Sequence, residues 1–338
     1  MRLSVLMVTN NYPTAANPHM GAATALQERG IKGLGVDVNV LFFDRLLSGR
    51  SVYKGMGDRI LSAARDKKCD LVHIQFGGVP AFQTVRACGR RCVITFHGTD
   101  LHGGSPKGLV DRASFGVGVM ASKWAAARSG WNIVVSPDLA SRLEGLTRRV
   151  SIIPTGVDYD IFKPMPRQAA LSALGLNAGK RYVVFCDSMR AAVKRRDLAL
   201  AALQVANARG LNLEMIELHR VPHGNIPFYL NAAACLLLTS DKEGSPNIVK
   251  EAIACDLPVV SVDVGDVSER INGISRSRVV PRDAVLIGEA LAEIILSGKR
   301  ADGREIKRQE IENGPICEKV VSVYEKIMAE GLKPPWFE

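Results

Sequence analysis

Residues 235–269, CLLLTSDKEGSPNIVKEAIACDLPVVSVDVGDVSE, contain a complete strand–loop–helix–strand pattern. The apolar run 235–238 predicts a buried strand. Ser245 and Pro246 predict a helix start, because Ser is a favoured N-cap and Pro suits the first helical position. The apolar run 258–262 predicts the next strand. Units of this kind build parallel sheets, so the sequence predicts an α/β fold.

The junction between loop and helix is where we expect chemistry. A helix N-terminus presents unpaired N–H groups and a partial positive charge that suit a phosphate, and Gly244 lets the backbone approach a ligand. Glu243 lies just before the helix, and Glu251 lies about 7–8 Å along the helix axis from the helix start. This offset suits one carboxylate on a sugar and the other on a ribose, with a diphosphate between them. Two solvated glutamates beside an ordinary helix would have the same spacing.

The same stretch resembles a known family. Glu243-Gly-Ser-Pro-Asn-x3-Glu251, followed by Ala-Ile-Ala-Cys-Asp-Leu-Pro-Val-Val, is similar to the Glu-x7-Glu signature of retaining family 4 glycosyltransferases. The resemblance implies a GT-B fold, with two Rossmann-like domains facing a central cleft, and a nucleotide-sugar donor. It places Gly244, Ser245, Pro246 and Asn247 at that donor. Asp256 stands where the family usually has Gly, and Asp also suits a turn.

Length and composition set the broad class of the protein. A chain of 338 residues with 47% hydrophobic content suggests two domains, each with its own core. No uninterrupted apolar stretch approaches 18 residues, so we expect no membrane-spanning helix. The seven cysteines are odd in number and include no CxxC pair. This pattern favours reduced cysteines in a cytoplasmic protein over disulfides or zinc ligands.

The formal net charge of +10 admits three classes of partner: nucleic acid, an anionic lipid surface, or anionic substrates. The basic residues are scattered, and patterns of common nucleic-acid-binding motifs are absent, which disfavours nucleic acid. Residues 101–129 combine Trp124 with Lys and Arg. That stretch suits either lipid headgroups on the inner face of a cell membrane or a solvated loop and helix.

The N-terminal part of the chain begins with a predicted strand, residues 3–8, and a long loop that ends at Gly21. A glycine at the first strand–helix junction permits close approach to a phosphate. The loop resembles the first loop of the same family, although Met20-Gly21 replaces the usual paired glycines. Gly21 is therefore a predicted donor contact. His73 is interpreted as a packed strand histidine.

A second motif follows the strand that begins at Cys92. In open α/β sheets ligands bind beyond the carboxyl ends of the strands, which is where His97 and Asp100 fall. Thr95-x-His97-Gly98-x-Asp100 also matches a motif of the resembling family. The resemblance implies that His97 contacts the donor sugar or the reacting face, and that Asp100 shapes the acceptor side.

The pattern restarts after Pro164 and Pro166, which read as a linker. We predict an N-terminal Rossmann-like acceptor domain over residues 1–163 and a C-terminal donor domain over 164–312. Residues 313–338 are predicted to be a helix and tail that pack back on the N-terminal domain, as is common in the family.

The basic loop of the second domain is the predicted diphosphate contact, because Arg offers a planar fork and Lys a point charge. The family has an Arg-x4-Lys pair here, and this chain is one residue shorter. We assign the pair to Arg190 and Lys194, with Arg195 in reserve. Val221 lies in a loop that resembles the one lining the nucleotide base.

The resemblance thus implies a retaining hexosyltransferase that moves a sugar from a nucleoside diphosphate to a hydroxyl acceptor in glycan, polysaccharide or glycolipid synthesis. No DxD motif suggests a metal site, so we expect no metal and no cofactor. The predicted catalytic residues are Arg190, Lys194, Glu243 and His97. Two alternatives stay open. A nucleic-acid-directed glycosyltransferase would share the fold and explain the charge, and an inactive sugar-nucleotide binder would explain the altered glycine loop.

Overall fold

The computed structural model describes residues 2–104, 108–187 and 192–337, and the chain divides into two compact units. The first unit comprises Met1–Gly156 and Asn313–Glu338, and the second comprises Val157–Glu312.

The predicted boundary between residues 163 and 164 therefore moves to residue 156. Val157, Tyr159 and Phe162 are buried in the hydrophobic core of the second unit. The N–H of Val157 also donates to the carbonyl of Ile311 at 2.8 Å. The prolines mark a helix start instead of a linker, since Pro166 is the N-cap of a helix.

The first unit is built on a parallel sheet, which within the described residues has six strands in the order β2-β1-β3-β4-β5-β6. The strands are β1 Ser4–Thr9, β2 Asp37–Phe42, β3 Leu71–Ile74, β4 Cys92–Phe96, β5 Trp131–Val134 and β6 Val150–Ile152. The helices between them are α1 Ala22–Gly33, α2 Arg45–Ser48, α3 Met56–Asp66, α4 Gly78–Cys88, α5 Thr99–His102, α6 Leu109–Arg128 and α7 Pro137–Ser141.

The second unit repeats this architecture with a smaller parallel sheet. Its described strands have the order β11-β10-β9-β7-β8. They are β7 Arg181–Cys186, β8 Leu213–Leu218, β9 Cys235–Leu238, β10 Val259–Ser261 and β11 Arg278–Val279. The helices are α8 Arg167–Leu174, α9 Arg196–Ala208, α10 Ile226–Ala232, α11 Asn247–Ala254, α12 Val267–Ile271, α13 Ala284–Leu296 and α14 Gly303–Ile311.

The last helix, α15 Asn313–Met328, belongs to the first unit. Alternate residues of β1 point to opposite faces of the sheet, as strand geometry requires. Leu6 and Val8 join one hydrophobic cluster, while Val5 and Met7 join another that contains the buried residues of α15. The C-terminal helix therefore covers one face of the N-terminal sheet.

The stretch that predicted the fold forms the elements expected of it. Cys235–Leu238 and Val259–Ser261 are neighbouring parallel strands, and α11 connects them. Asp256 has a φ of +53°, a left-handed conformation that glycine adopts most easily. Its carboxylate accepts from the backbone N–H of Arg304 at 2.8 Å, which helps hold the turn. This explains how Asp occupies a position where a glycine is expected.

Candidate functional site

The loop before α11 presents a helix N-terminus with no side-chain cap from the N-cap residue. That residue is Pro246, whose side chain has no oxygen to accept from the first turn. The prediction that Ser245 is the N-cap is wrong. Its hydroxyl instead donates to Asp266 Oδ2 at 2.8 Å. The partial positive charge at the start of this helix suits an anion.

The loops that follow β9 and β10 pack tightly against each other. Gly265 has a φ of +60°, and a Cβ placed there would lie 2.6 Å from the carbonyl oxygen of Gly244. A side chain at residue 265 would therefore push away the backbone of the loop that carries Glu243. The glycine keeps that loop beside the start of α11.

Lys194 and Glu243, two residues that the sequence proposed separately, form an ion pair. Lys194 Nζ lies 2.6 Å from Glu243 Oε1, and the side chains are 23% and 14% exposed. Burial lowers the pKa of Lys194, but the charge and hydrogen bond of Glu243 outweigh it and raise the pKa overall. The backbone at Lys194 is held by Thr239, whose hydroxyl donates to the carbonyl oxygen of Lys194 at 2.9 Å. A charged lysine is thus held next to the loop before α11.

Glu251 has a partner that the sequence analysis missed. Nε2 of His223 lies 2.8 Å from Glu251 Oε1, and the His223 ring packs on Phe162 with centroids 5.0 Å apart. Glu251 is only 7% exposed. Val221, the predicted base-loop residue, lies two residues before His223 and packs against the core of the second unit. No motif spacing links residues 223 and 251, so only the fold reveals the pair.

Two further basic residues of the second unit were candidates for the diphosphate contact, Arg190 and Arg195. Arg190 lies outside the described residues. Arg195, the reserve candidate, contacts the carboxylates of Asp197 and Asp241 at 2.8 and 3.4 Å. Asp241 is shared with Arg282. The reserve residue is therefore engaged in a surface ion-pair network.

In the first unit, Asp100 organises the loop that carries His97. Its carboxylate accepts from the backbone N–H groups of Gly77, His97 and Gly98 at 3.1, 3.0 and 2.8 Å. The Asp100 side chain is buried. The His97 ring stacks with Phe76, with centroids 6.5 Å apart and planes 15° apart. Asp100 thus fixes the backbone at the ends of β3 and β4, which orients His97.

The interpretation of His73 as a packed strand histidine is confirmed. The side chain is completely buried, and its two ring nitrogens lie 2.6 Å from the Tyr324 hydroxyl and 2.7 Å from the Thr95 hydroxyl. Burial lowers the pKa of His73 to about 3, so the ring is neutral at ordinary pH.

Gly21 is required by backbone geometry. It has a φ of +65° at the start of α1, and a Cβ there would lie 2.4 Å from Tyr12 Cα and 2.5 Å from the Asn11 carbonyl oxygen. The long first loop therefore folds directly over this glycine.

Replacement of Gly21 by Ala is expected to lower the free energy of unfolding by at least about 2 kcal/mol, because it adds both left-handed strain and a clash with backbone. Gly33→Ala in the same helix is the matched control, since nothing lies within 4 Å of a Cβ at that position. Urea denaturation of both variants measures the effect. Equal stabilities for the two variants would contradict the described loop geometry.

Comparison with known proteins places this chain among carbohydrate-transferring enzymes. Residues 15–161 match the family model described as Glycosyltransferase Family 4, and residues 175–297 match the model described as Glycosyl transferases group 1. The chain is also 24% identical to the putative teichuronic acid biosynthesis glycosyltransferase TuaC of Bacillus subtilis. That alignment covers 86% of this chain and 88% of the Bacillus protein.

Solved structures show the same fold at low identity. Sucrose-phosphate synthase from Thermosynechococcus elongatus superposes with a TM-score of 0.77 at 15% identity, covering 97% of this chain and all of that one. Anabaena Alr3699/HepE, solved in complex with UDP and glucose, gives 0.67 at 15% identity, covering 98% of this chain and all of that one. At these identities the likeness establishes the architecture alone.

Proposed function

The chain belongs to glycosyltransferase family 4 and has the GT-B fold, and we propose that it transfers a hexose or related sugar from a nucleoside diphosphate to a hydroxyl acceptor. The observation that carries this proposal is the set of contacts around α11. Lys194 is ion-paired with Glu243 in the loop before α11, and α11 itself carries the buried carboxylate of Glu251. The Bacillus relative, named for teichuronic acid biosynthesis, supports a role in polysaccharide synthesis.

Each group of the second unit has a part in holding the donor. The diphosphate lies at the N-terminus of α11, where the N–H groups of the first turn and the Lys194 ammonium neutralise its charge. Lys194 then exchanges part of its bond to Glu243 for a phosphate oxygen, and the Glu243 carboxylate accepts from sugar hydroxyls. Glu251, steadied by His223, accepts from the ribose hydroxyls. Gly244, Ser245, Pro246 and Asn247 line the phosphates, and Val221 lies beside the base.

The chemical step follows from charge developing on the leaving phosphate. As the bond between the sugar and the diphosphate breaks, Lys194 and the start of α11 stabilise the departing oxygen. The acceptor oxygen bonds to the anomeric carbon on the face that the diphosphate leaves, and the leaving phosphate takes the acceptor proton. The configuration of the sugar is thereby retained. In the first unit, we assign Asp100 the positioning of His97, whose backbone N–H donates to the Asp100 carboxylate. Neutralisation by these groups needs no metal ion.

The test is a turnover assay. The protein is incubated with UDP-, GDP-, ADP- and TDP-sugars and a panel of hydroxyl acceptors, and nucleoside diphosphate release is measured. We expect release from one nucleotide class, stimulated by an acceptor. Donor binding without release would instead identify an inactive sugar-nucleotide binder. Tight binding of duplex DNA with a steep salt dependence would favour the nucleic-acid-directed alternative.

The first unit also offers a surface suited to anionic lipid. On α6, Val110, Val117 and Met120 share one helix face and are 84%, 52% and 65% exposed. Residues 1–156 and 313–338 carry 23 Lys and Arg against 14 Asp and Glu, a formal charge of +9. Residues 157–312 carry 21 against 20, a charge of +1. Apolar side chains within a basic unit match the interface of an anionic bilayer.

We therefore propose that the first unit rests on an anionic membrane, where a lipid-linked acceptor would be presented. Among the described residues, no helix combines the length and apolarity needed to cross a bilayer. This proposal therefore concerns contact with the membrane surface.

Co-sedimentation with vesicles tests the membrane proposal. The protein is expected to bind phosphatidylglycerol vesicles at low salt and to release as salt is raised, with little binding to phosphatidylcholine alone. The double variant Val110→Asp, Met120→Asp should lose most of this binding. Val285→Asp, Leu296→Asp is the matched control, because those exposed apolar residues belong to the second unit. Equal losses in both double variants would contradict the assignment.

A further inference from the structure

Lys250 is a lysine with no exposed surface, and the site described above does not use it. It is the fourth residue of α11 and is 0% exposed. Its Nζ lies 3.1 Å from Ser245 Oγ. Because helical side chains lean toward the helix N-terminus, the Lys250 ammonium reaches back to Ser245, two residues before the helix begins.

Ser245 joins Lys250 to a second buried charge. The Ser245 hydroxyl donates to Asp266 Oδ2 at 2.8 Å, and Arg270 Nε donates to the same oxygen at 2.7 Å. Asp266 is also 0% exposed. These contacts link α11, the loop before it and α12 through Lys250, Ser245, Asp266 and Arg270.

A buried ammonium is expensive to keep charged. Burial is the largest influence on Lys250 and lowers its pKa to about 7. The charges of Asp266 and Glu251 favour the ammonium, and the charge of Arg270 opposes it. The lysine therefore changes its protonation near neutral pH, and a nearby negative charge would shift that balance toward the ammonium.

We propose that Lys250 is a buried charge of the donor's phosphate site, and that it takes up a proton from solvent when a nucleoside diphosphate binds at the start of α11. This inference rests on the proposed function. In the free protein Lys250 exchanges its proton near neutral pH. With the diphosphate bound, the ammonium adds its charge to that of the helix N-terminus and keeps Ser245 in place through its hydrogen bond.

A purely structural lysine would behave differently. It would support the fold or the loop, so its removal would weaken binding of the nucleoside and the nucleoside diphosphate alike and would leave proton uptake unchanged. A charge of the phosphate site acts on the diphosphate alone. The comparison between a nucleoside and its diphosphate therefore separates the two roles.

Isothermal titration calorimetry provides the experiment. UDP, GDP, ADP and TDP are titrated, and the nucleotide that binds is compared with its own nucleoside, in HEPES and in Tris at pH 8. The ligand phosphate is already ionised at that pH. The difference in heat between the two buffers counts the protons taken up. We expect wild type to take up close to one proton with the diphosphate and none with the nucleoside.

Lys250→Met is expected to abolish the proton uptake. It should also weaken binding of the nucleoside diphosphate by about tenfold, because one nearby charge is lost. The affinity for the nucleoside should not change. Lys307→Met is the matched control, since Lys307 is a buried lysine of the same unit that contacts Glu269 and Glu310. Thermal melting shows that both variants are folded. Methionine removes the burial penalty, so the Lys250 variant should melt no lower than wild type at pH 6.

The outcomes are distinguishable. Wild-type binding with unchanged proton uptake in Lys250→Met overturns this inference and leaves the proposed function standing. A parallel loss of nucleoside and diphosphate affinity also overturns it, because it indicates a structural lysine. If wild type binds none of the four nucleotides, the proposed function fails and this inference fails with it.

Discussion

Replacement of Lys194 by alanine is expected to lower kcat/KM for sugar transfer about a thousandfold. The ammonium pairs with Glu243 in the loop before α11, and we assign it to stabilising the charge that develops on the leaving phosphate. Removal of one such stabilising group in other enzymes costs about 10²–10³ in kcat, and weaker donor binding adds to this loss. Steady-state release of the nucleoside diphosphate measures the effect.

The matched control is Lys180→Ala. Lys180 also pairs with a glutamate of the same unit, Glu214, but on an exposed surface. Exposed pairs contribute little, so this variant should keep its activity within about twofold. Lys194→Arg retains the charge in a different shape and should recover part of the rate. A Lys194→Ala variant with wild-type kcat/KM would show that Lys194 is not a catalytic residue.

The ratio of wild-type kcat/KM to that of Lys194→Ala should be constant between pH 6 and 9. The raised pKa of Lys194 means that the ion pair with Glu243 contributes its full stability below the pKa of an unfolded lysine. The contribution is lost only as the pH rises through the still higher folded value. A ratio of wild-type to variant rates that changed near neutral pH would point to another titrating group.

Replacement of Glu251 by glutamine is expected to raise the Kd for the nucleotide by about 10- to 100-fold. A hydrogen bond to a charged group contributes about 1.5–3 kcal/mol. The change removes the negative charge that the ribose hydroxyls and His223 share. Glu289→Gln is the control, because Glu289 forms an exposed ion pair with Arg209. Fluorescence or calorimetric titration measures both.

A 2′-deoxynucleotide sharpens this prediction. If Glu251 accepts from the ribose, wild type should bind the deoxynucleotide more weakly than the ribonucleotide, and Glu251→Gln should discriminate far less between them. This comparison of two ligands on two proteins is a double-mutant cycle, which separates the contact between Glu251 and the ribose from general damage to the site. Undiminished discrimination in the variant would place Glu251 away from the ribose.

The sequence predicted the architecture well because the deciding stretch combined several independent signals. An apolar strand, a proline at a helix start and a second apolar strand all indicated the same parallel unit, and local agreement of this kind is typical of a well-specified fold. The expectation of two Rossmann-like domains is confirmed.

The parts that the sequence predicted poorly depend on contacts between distant residues. Pro164 and Pro166 suggested a linker, but burial of Phe162 keeps the preceding segment within the second unit. Ser245 suggested an N-cap, but Asp266 offered its hydroxyl a charged acceptor from another loop. His223 gained its significance only when the fold brought it to Glu251, and Lys250 only when packing around α11 buried it completely. No periodicity in the sequence reports such pairs.

The central claim is that the second unit holds a nucleoside diphosphate at α11, and a thermal-shift panel tests it most directly. UDP, GDP, ADP, TDP and their sugar conjugates are compared on wild type and on Glu251→Ala. A ligand at about 100 times its Kd should stabilise the protein by about 2.7 kcal/mol. We predict a shift with one base, lost in the variant. The absence of a shift with every nucleotide, in wild-type protein shown to be folded by circular dichroism, would contradict the account.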